Sequence, residues 1–249
     1  MPPFGTITPT GKATRSRGKF DPDGREMRRY EREFEAAAYQ ALQRLRRDVE
    51  RGITADNVRD MVTRLSDPTV TRPFQDAIVS ELQRVAMAGA EHGRVTIERE
   101  VFGVKGVDVG MWELANNAAA QWALTYGYEL VRGILDTTRD WLQLQIAEYV
   151  NNSQTIGQLI QRIQAGSGYS EARAHRIAVT ETTRAFFSGS HAAWKASGVI
   201  ERKQVRTNMD EKVCPICSAK SDKIYELDDP EGSPPFHVMC RCWSVPKVV

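Results

Sequence analysis

The sequence lacks a hydrophobic run long enough to cross a membrane, because it contains no stretch of about 18 consecutive apolar residues. Its first residues, Met1–Gly5, do not form a charged leader followed by an apolar segment. We therefore expect a protein that is neither secreted nor membrane-bound. The charges nearly cancel, since 34 Lys and Arg against 32 Asp and Glu give a formal net charge of +2. This balance excludes nucleic-acid binding driven by overall charge, so any basic site must be local.

Cysteine is absent before Cys214, and all four cysteines lie between Cys214 and Cys242. A reducing cytosol disfavours a disulfide framework for such a cluster, so a metal site is the better interpretation. The 249 residues are enough to bury the core of one or two domains.

The N-terminal residues 1–24 are rich in Gly, Pro, Thr and Ser and have few apolar side chains. Too little apolar surface is available there to offset the entropy of ordering, so we expect a flexible basic arm. The basic residues proposed to bind nucleic acid or a partner are Lys12, Arg15, Arg17 and Lys19. A frayed terminus without a function is the alternative. Arg44, Arg46 and Arg47 extend this basic track, unless they only form a solvated helix face.

Helical periodicity dominates from residue 25 onward, where apolar residues recur at spacings of three and four. The buried face of this first helix is predicted to consist of Phe34, Ala38, Leu42, Leu45 and Val49. Gly52 should end it, and Thr54 should cap a short helix that runs to Leu65. A third helix should begin at Pro68 or Pro73 and run toward residue 99.

Residues 103–110 contain three glycines and are expected to form a loop or hinge. The sequence then predicts a long helical stretch with a break near Asp136, and its tryptophans are expected in the core. Ser153 and Ser170 should cap two further helices, the second of which ends at Gly198.

The C-terminal residues 200–249 have a different pattern, with short strands expected at 203–207 and 223–227. Turns rich in Pro, Asp and Gly separate these strands. The fold class predicted for the whole chain is therefore mainly α, with a small C-terminal α+β zinc-binding module.

Five candidate metal ligands occur in two closely spaced groups in that module: Cys214, Cys217, His237, Cys240 and Cys242. A Cys-x-x-Cys pair followed about twenty residues later by a second Cys/His group lets two turns bind one tetrahedral Zn²⁺. The sequence leaves open whether all four cysteines bind or three cysteines with His237. A full set of protein ligands favours a structural site, because catalytic zinc keeps a position open for water. Reduced cysteines packed as small hydrophobic side chains are the alternative.

Enzymatic interpretations of these residues are disfavoured, so we expect no enzymatic activity. A zinc deaminase needs His-x-Glu before its cysteine pair, and none of His92, His175 and His191 is followed by Glu two residues later. A thioredoxin-like redox pair belongs to a βαβ unit, whereas this pair follows a long helix. A Cys nucleophile with His237 as its base is also disfavoured, since one His beside four Cys is first a ligand pattern.

Three segments resemble a known family: Val179–Arg184 on a predicted helix, then Val213–Cys217 and Pro234–Cys242 with the cysteines. Together they are similar to the phage head morphogenesis domain of the phage Mu protein F-like minor head protein family. The resemblance covers roughly residues 110–249, and the cysteine pattern is its most specific part.

This resemblance implies a structural minor head protein of a tailed phage that acts in head assembly and in DNA packaging or ejection near the portal. It implies the portal protein, the major capsid protein or both as partners, with phage DNA as a further one, and a location in the virion. The chain then divides into the arm, a helical region at 25–102 that docks to portal or capsid, and a head-morphogenesis domain at 111–249. A zinc-containing nucleic-acid-binding protein or nucleic-acid-processing enzyme is the alternative, although neither a basic helix after the cysteines nor a carboxylate cluster is visible.

Glu181 lies in a stripe of small residues on one face of its predicted helix, a face that could approach another element closely. A buried carboxylate needs a partner, so we predict an ion pair that ties this helix to the C-terminal module. Arg241 is the first candidate and Arg206 the second. A solvated Glu181 is the alternative.

Overall fold

In the computed structural model, the described residues are 24–98, 109–207 and 213–247. The helices are α1 Arg25–Glu50, α2 Asp60–Thr63, α3 Pro68–Ile97, α4 Val109–Asn151, α5 Ile156–Ala165, α6 Glu171–Ser197 and α7 Pro215–Lys220. The strands are β1 Arg202–Arg206, β2 Ile224–Glu226 and β3 Trp243–Lys247. The mainly helical prediction with a small C-terminal sheet is thus confirmed. The arm residues Lys12, Arg15, Arg17 and Lys19, and most of the predicted hinge, lie outside the described residues.

Helices α1, α3, α4 and α6 pack around one hydrophobic core. The predicted buried face of α1 is confirmed, since Phe34 and Leu42 are fully buried and their helical neighbours Ala38, Leu45 and Val49 are buried with them. Each such large side chain contributes roughly 1.5–3 kcal/mol by leaving water. The sequence regions 25–98 and 109–197 therefore share a core.

Helices α3 and α6 cross in backbone contact, through glycine on both sides. A Cβ atom at Gly189 would lie 1.8 Å from the Ala86 carbonyl oxygen, and one at Gly89 would lie 2.1 Å from that of Phe186. The Ser190 hydroxyl also donates a hydrogen bond to the Gly89 carbonyl at 2.9 Å. Glycine weakens a helix, but at Gly89 and Gly189 it allows the two helix backbones to touch. This close packing fixes the position of α6 against α3.

Several predicted helix ends are confirmed by the backbone. Gly52 and Gly198 both have φ +66°, the left-handed conformation that favours glycine after a helix. The Ser170 hydroxyl accepts the Arg173 N–H as the N-cap of α6. Pro68 is the first residue of α3, whereas Pro73 lies inside it.

Three other helix predictions are wrong. Helix α4 continues through Asp136 without a break, and the Thr138 hydroxyl donates to the Ile134 carbonyl of the same helix at 2.6 Å. Thr155, not Ser153, caps α5, since only Thr155 has Gln158 three residues later to complete a capping box. Thr54 bonds to Asn57 in a turn, and α2 begins only at Asp60.

The C-terminal sheet is antiparallel with the strand order β2-β1-β3. Both predicted strands are present, while β3 was missed. Lys203 of β1 is fully buried, and its Nζ donates to the Leu227 carbonyl at 2.7 Å and to the Ser233 hydroxyl at 2.8 Å. Burial lowers the pKa of Lys203 to about 8. The sheet contacts α6 through Trp194, which packs with Leu227.

Candidate metal centre

The first candidate ligand pair lies in a turn that we call the first knuckle, residues 214–217. Cys214 caps α7, and Pro215 occupies the first helical position, where its missing N–H costs nothing. The Cys217 N–H points to the Cys214 Sγ at 3.4 Å, and Ser218 N bonds to the Cys214 carbonyl at 2.9 Å. The local sequence therefore turns both sulfurs toward the same side.

The second knuckle, residues 237–240, has the same spacing with His in place of the first Cys. The Cys240 N–H donates to the His237 carbonyl at 3.2 Å, which closes the turn. Met239 has φ +66°, an uncommon conformation for a residue with a side chain. Cys242 follows two residues later, directly before β3.

The two knuckles face each other. His237 Nε2 lies 3.2 Å from Cys214 Sγ and 3.0 Å from Cys217 Sγ, and Cys217 Sγ lies 3.7 Å from Cys240 Sγ. Two thiolates on one tetrahedral Zn²⁺ with bonds of about 2.3 Å would be about 3.8 Å apart. The ligand atoms form two triads, Cys214–Cys217–His237 and Cys217–Cys240–Cys242, each within 4.8 Å. The structure thus brings all five predicted ligands together in a cluster that could hold a metal ion.

The hydrogen bond of His237 suits metal binding. Its Nδ1 lies 2.8 Å from the Val238 carbonyl oxygen, which can only accept, so Nδ1 carries the proton. In its neutral form the imidazole would then present the Nε2 lone pair to a metal ion held by the sulfurs. A second-shell carbonyl commonly fixes the tautomer of a metal-binding histidine in this way.

Each knuckle contains one cysteine whose pKa is lowered. The backbone N–H of Cys217 lowers the pKa of Cys214, and the Cys242 thiol lowers the pKa of Cys240 to about 5 by hydrogen bonding. Burial raises the pKa of Cys217 to about 12, and the hydrogen bond to Cys240 raises that of Cys242. Thiolates are the metal-binding form of cysteine, and the lowered pKa values of Cys214 and Cys240 favour that form.

The second knuckle is bound to helix α6 by two threonines. The Thr180 hydroxyl accepts the Met239 N–H at 3.0 Å, and the Thr183 hydroxyl donates to the Cys240 carbonyl at 2.8 Å. Sequence reasoning missed both, although their spacing of three places them on one side of the helix.

Arg241, which lies between Cys240 and Cys242, is bound to helix α1. Arg241 donates to both carboxylate oxygens of Glu31, at 2.8 and 3.0 Å. Glu31 is only 5% exposed. The only sequence signal for this pair is an acidic residue on the apolar side of an amphipathic helix.

The predicted ion pair between Glu181 and Arg241 is wrong, although Glu181 is buried as expected. Tyr126 of α4 donates to Glu181 at 2.9 Å and Arg184 pairs with it at 3.1 Å. Successive helical side chains diverge by about 100°, so Glu181 faces α4 while its threonine neighbours face the knuckle. Burial raises the pKa of Glu181. The second candidate, Arg206, pairs with Asp222 instead.

These observations define a class of protein: a helical body onto which a small sheet with a Cys/His cluster is fastened through α1 and α6. Residues 140–245 match the family model described as Phage Mu protein F like protein. The matched part begins in α4, ends in β3 and contains all five candidate ligands. Residues 140–245 are thus similar to this phage family, and the resemblance seen in the sequence is confirmed.

The family indicates a protein of bacteriophage head morphogenesis, and hence a virion protein. Neither the curated proteins nor the solved structures gave a match to the chain. Within the ranges that the structure describes, no helix has the length and apolar character needed to cross a membrane.

Proposed function

We propose that the protein is a structural, non-enzymatic component of bacteriophage head assembly that acts near the portal vertex in DNA packaging or ejection. The observation that carries the proposal is the family match over residues 140–245, which includes both knuckles and the helix α6 that holds them. A cluster of thiols and imidazole within a turn-and-sheet module is typical of structural metal sites rather than of catalytic ones.

The ion that we propose for the cluster is Zn²⁺, bound by the two knuckles of equal spacing. The four ligands would be Cys214, Cys217, His237 and Cys240, because each knuckle then supplies its first and fourth residue. Cys242 would remain a thiol that donates to Cys240. In the alternative set Cys242 replaces His237. Metal binding supplies folding free energy to a module with few buried apolar residues of its own.

The ligand set has a direct test in single variants of the full chain. Cys240→Ser should lose most bound zinc, whereas Cys242→Ser should retain about one ion per chain. The contrary result, zinc lost with Cys242→Ser and kept with His237→Gln, would establish the set of four cysteines.

The partners that we propose are the portal protein, the major capsid protein or both, which the helical body would contact. The test is co-expression with the portal and capsid proteins encoded beside this one, followed by affinity capture and by electron microscopy of assembled heads. Capture of portal protein by the full-length chain, together with defective head assembly or DNA packaging when the chain is absent, would support the proposal. A chain that captures neither protein and leaves head assembly unchanged when absent would contradict it.

Phage DNA is the further partner that we propose. Helix α1 exposes six arginines along its outer side, Arg25, Arg28, Arg29, Arg32, Arg44 and Arg47, and its C-cap residue Arg51 is exposed as well. Arg46, which the sequence had placed on this track, is instead half-buried and paired with Glu50. Arg25→Glu with Arg32→Glu should weaken salt-dependent binding of duplex DNA, whereas Arg132→Glu on α4 should not. DNA binding without portal or capsid capture would favour the nucleic-acid-binding alternative.

A further inference from the structure

Helix α6 carries three buried threonines in a run of four residues, and their hydroxyls are used differently. Thr180 and Thr183 bond to the second knuckle. Thr182 is fully buried, and its hydroxyl has no hydrogen-bond partner in the part of the chain that the structure describes. The run therefore contains two groups that contact the candidate metal site and a neighbour of the same chemistry that does not.

The two bonds hold the backbone on both sides of one peptide unit. Thr180 receives the N–H of Met239, while Thr183 donates to the carbonyl of Cys240. Thr180 also donates to the Arg176 carbonyl at 2.7 Å, which orients its lone pair toward Met239. Since both ends of the Met239–Cys240 segment are fixed to a helix, the direction of the Cys240 side chain is fixed as well.

The backbone of the Met239–Cys240 segment has a conformation that requires such hydrogen bonds to hold it. Met239 adopts φ +66°, which residues with a side chain rarely adopt unless their surroundings hold them there. On the far side of Cys240, Arg241 is held by Glu31 of α1. The candidate ligand Cys240 is thus flanked by residues that hydrogen-bond to two different helices, α6 and α1.

We propose that Thr180 and Thr183 are positioning residues for the metal ligand Cys240, so that helix α6 sets the metal affinity of the two knuckles. This inference rests on the proposed metal site and adds to it the groups that hold one ligand in place. By linkage, a contact that preforms the site strengthens metal binding, and metal binding stabilises the docked knuckle in turn.

The test is a titration of the full-length, metal-free protein with Co²⁺, in which binding is measured from the thiolate-to-cobalt absorption. Competition with Zn²⁺ then gives the Zn²⁺ affinity. Thr183→Val keeps the shape of the side chain and removes the donor, so it should weaken Co²⁺ and Zn²⁺ binding by about 10-fold to 100-fold and alter the ligand-field bands. Thr183→Ser restores the hydroxyl and should return both toward wild type. Thr182→Val is the matched control and should leave both unchanged.

Thr180→Val provides a second variant if Thr183→Val does not fold, and far-UV circular dichroism checks each protein before titration. Equal affinities and spectra for Thr183→Val, Thr180→Val and the Thr182→Val control would overturn the positioning role while leaving the metal site standing. A wild-type chain that binds neither Co²⁺ nor Zn²⁺ would overturn the proposed metal site and this inference with it.

Discussion

Glu31 and Arg241 are 210 positions apart in the sequence, yet they form a two-bond ion pair that joins the first helix to the residue between two candidate metal ligands. The carboxylate is buried and the guanidinium is partly exposed, with 39% of its side-chain surface accessible. Together with the threonine bonds of α6, this pair makes the helical body and the C-terminal module one connected structure.

Removing the carboxylate of that pair should destabilise the protein. Glu31→Ala leaves Arg241 without these two bonds in a partly buried position, and we expect a loss of about 1–3 kcal/mol in the free energy of unfolding. Chemical denaturation followed by circular dichroism measures it. Glu33→Ala on the same helix removes a more exposed carboxylate and should cost less than about 1 kcal/mol. Equal losses for both variants would show that the Glu31–Arg241 pair contributes no more to the free energy of unfolding than an exposed carboxylate does.

The crossing of α3 and α6 should not tolerate a methyl group. Gly189→Ala would place Cβ 1.8 Å from a backbone oxygen of α3, so the helices must separate, at a cost of about 1–3 kcal/mol or more. Gly133→Ala on α4 meets nothing within 4 Å and should stabilise the protein by about 0.4–1 kcal/mol. Thermal unfolding of the two variants gives the comparison. A Gly189→Ala protein as stable as wild type would mean that the helices do not approach this closely.

Loss of the first knuckle should release the C-terminal module. We expect Cys214→Ser with Cys217→Ser to make residues 213–247 sensitive to protease, because the metal can no longer hold the two turns together. Most of the helical circular dichroism should remain, since the shared core of α1, α3, α4 and α6 lies outside the cluster. Protease resistance of the module that does not change with chelation would contradict a metal-dependent fold.

The buried Lys203 should make stability depend on alkaline pH. Its pKa falls to about 8 in the folded protein from the ordinary value of 10.5, so between these values the unfolded chain binds more protons than the folded one. Stability from this residue therefore rises as pH increases from 8 to 10.5, because the buried amine no longer has to carry a charge. The difference in unfolding free energy between wild type and Lys203→Met, measured across this range, isolates the effect. A difference independent of pH would show that Lys203 is not desolvated.

The candidate ligands were predictable because the spacing of Cys and His residues within each short turn is enough to identify them. Two short turns, each with ligands three apart, require no knowledge of the rest of the fold. The apolar face of α1 and the ends of α6 were predictable for the same reason, since periodicity and capping act within a few residues.

The remaining features depend on contacts between distant segments. The partner of Glu181 could not be chosen from sequence, because the choice between α4 and the module depends on how α6 is rotated in the core. Strand β3 was not predicted; it contains Pro246, which an edge strand tolerates. The partners of Glu31 and of the α6 threonines likewise lie in distant segments, so local spacing alone does not identify them.

The most direct test of the account is the zinc content of the full-length protein, purified without added metal and measured by elemental analysis together with protein concentration. We predict about one zinc ion per chain in the wild type and its loss in the Cys214→Ser, Cys217→Ser variant. A folded wild-type chain with no zinc or other bound transition metal would contradict a metal-stabilised C-terminal module.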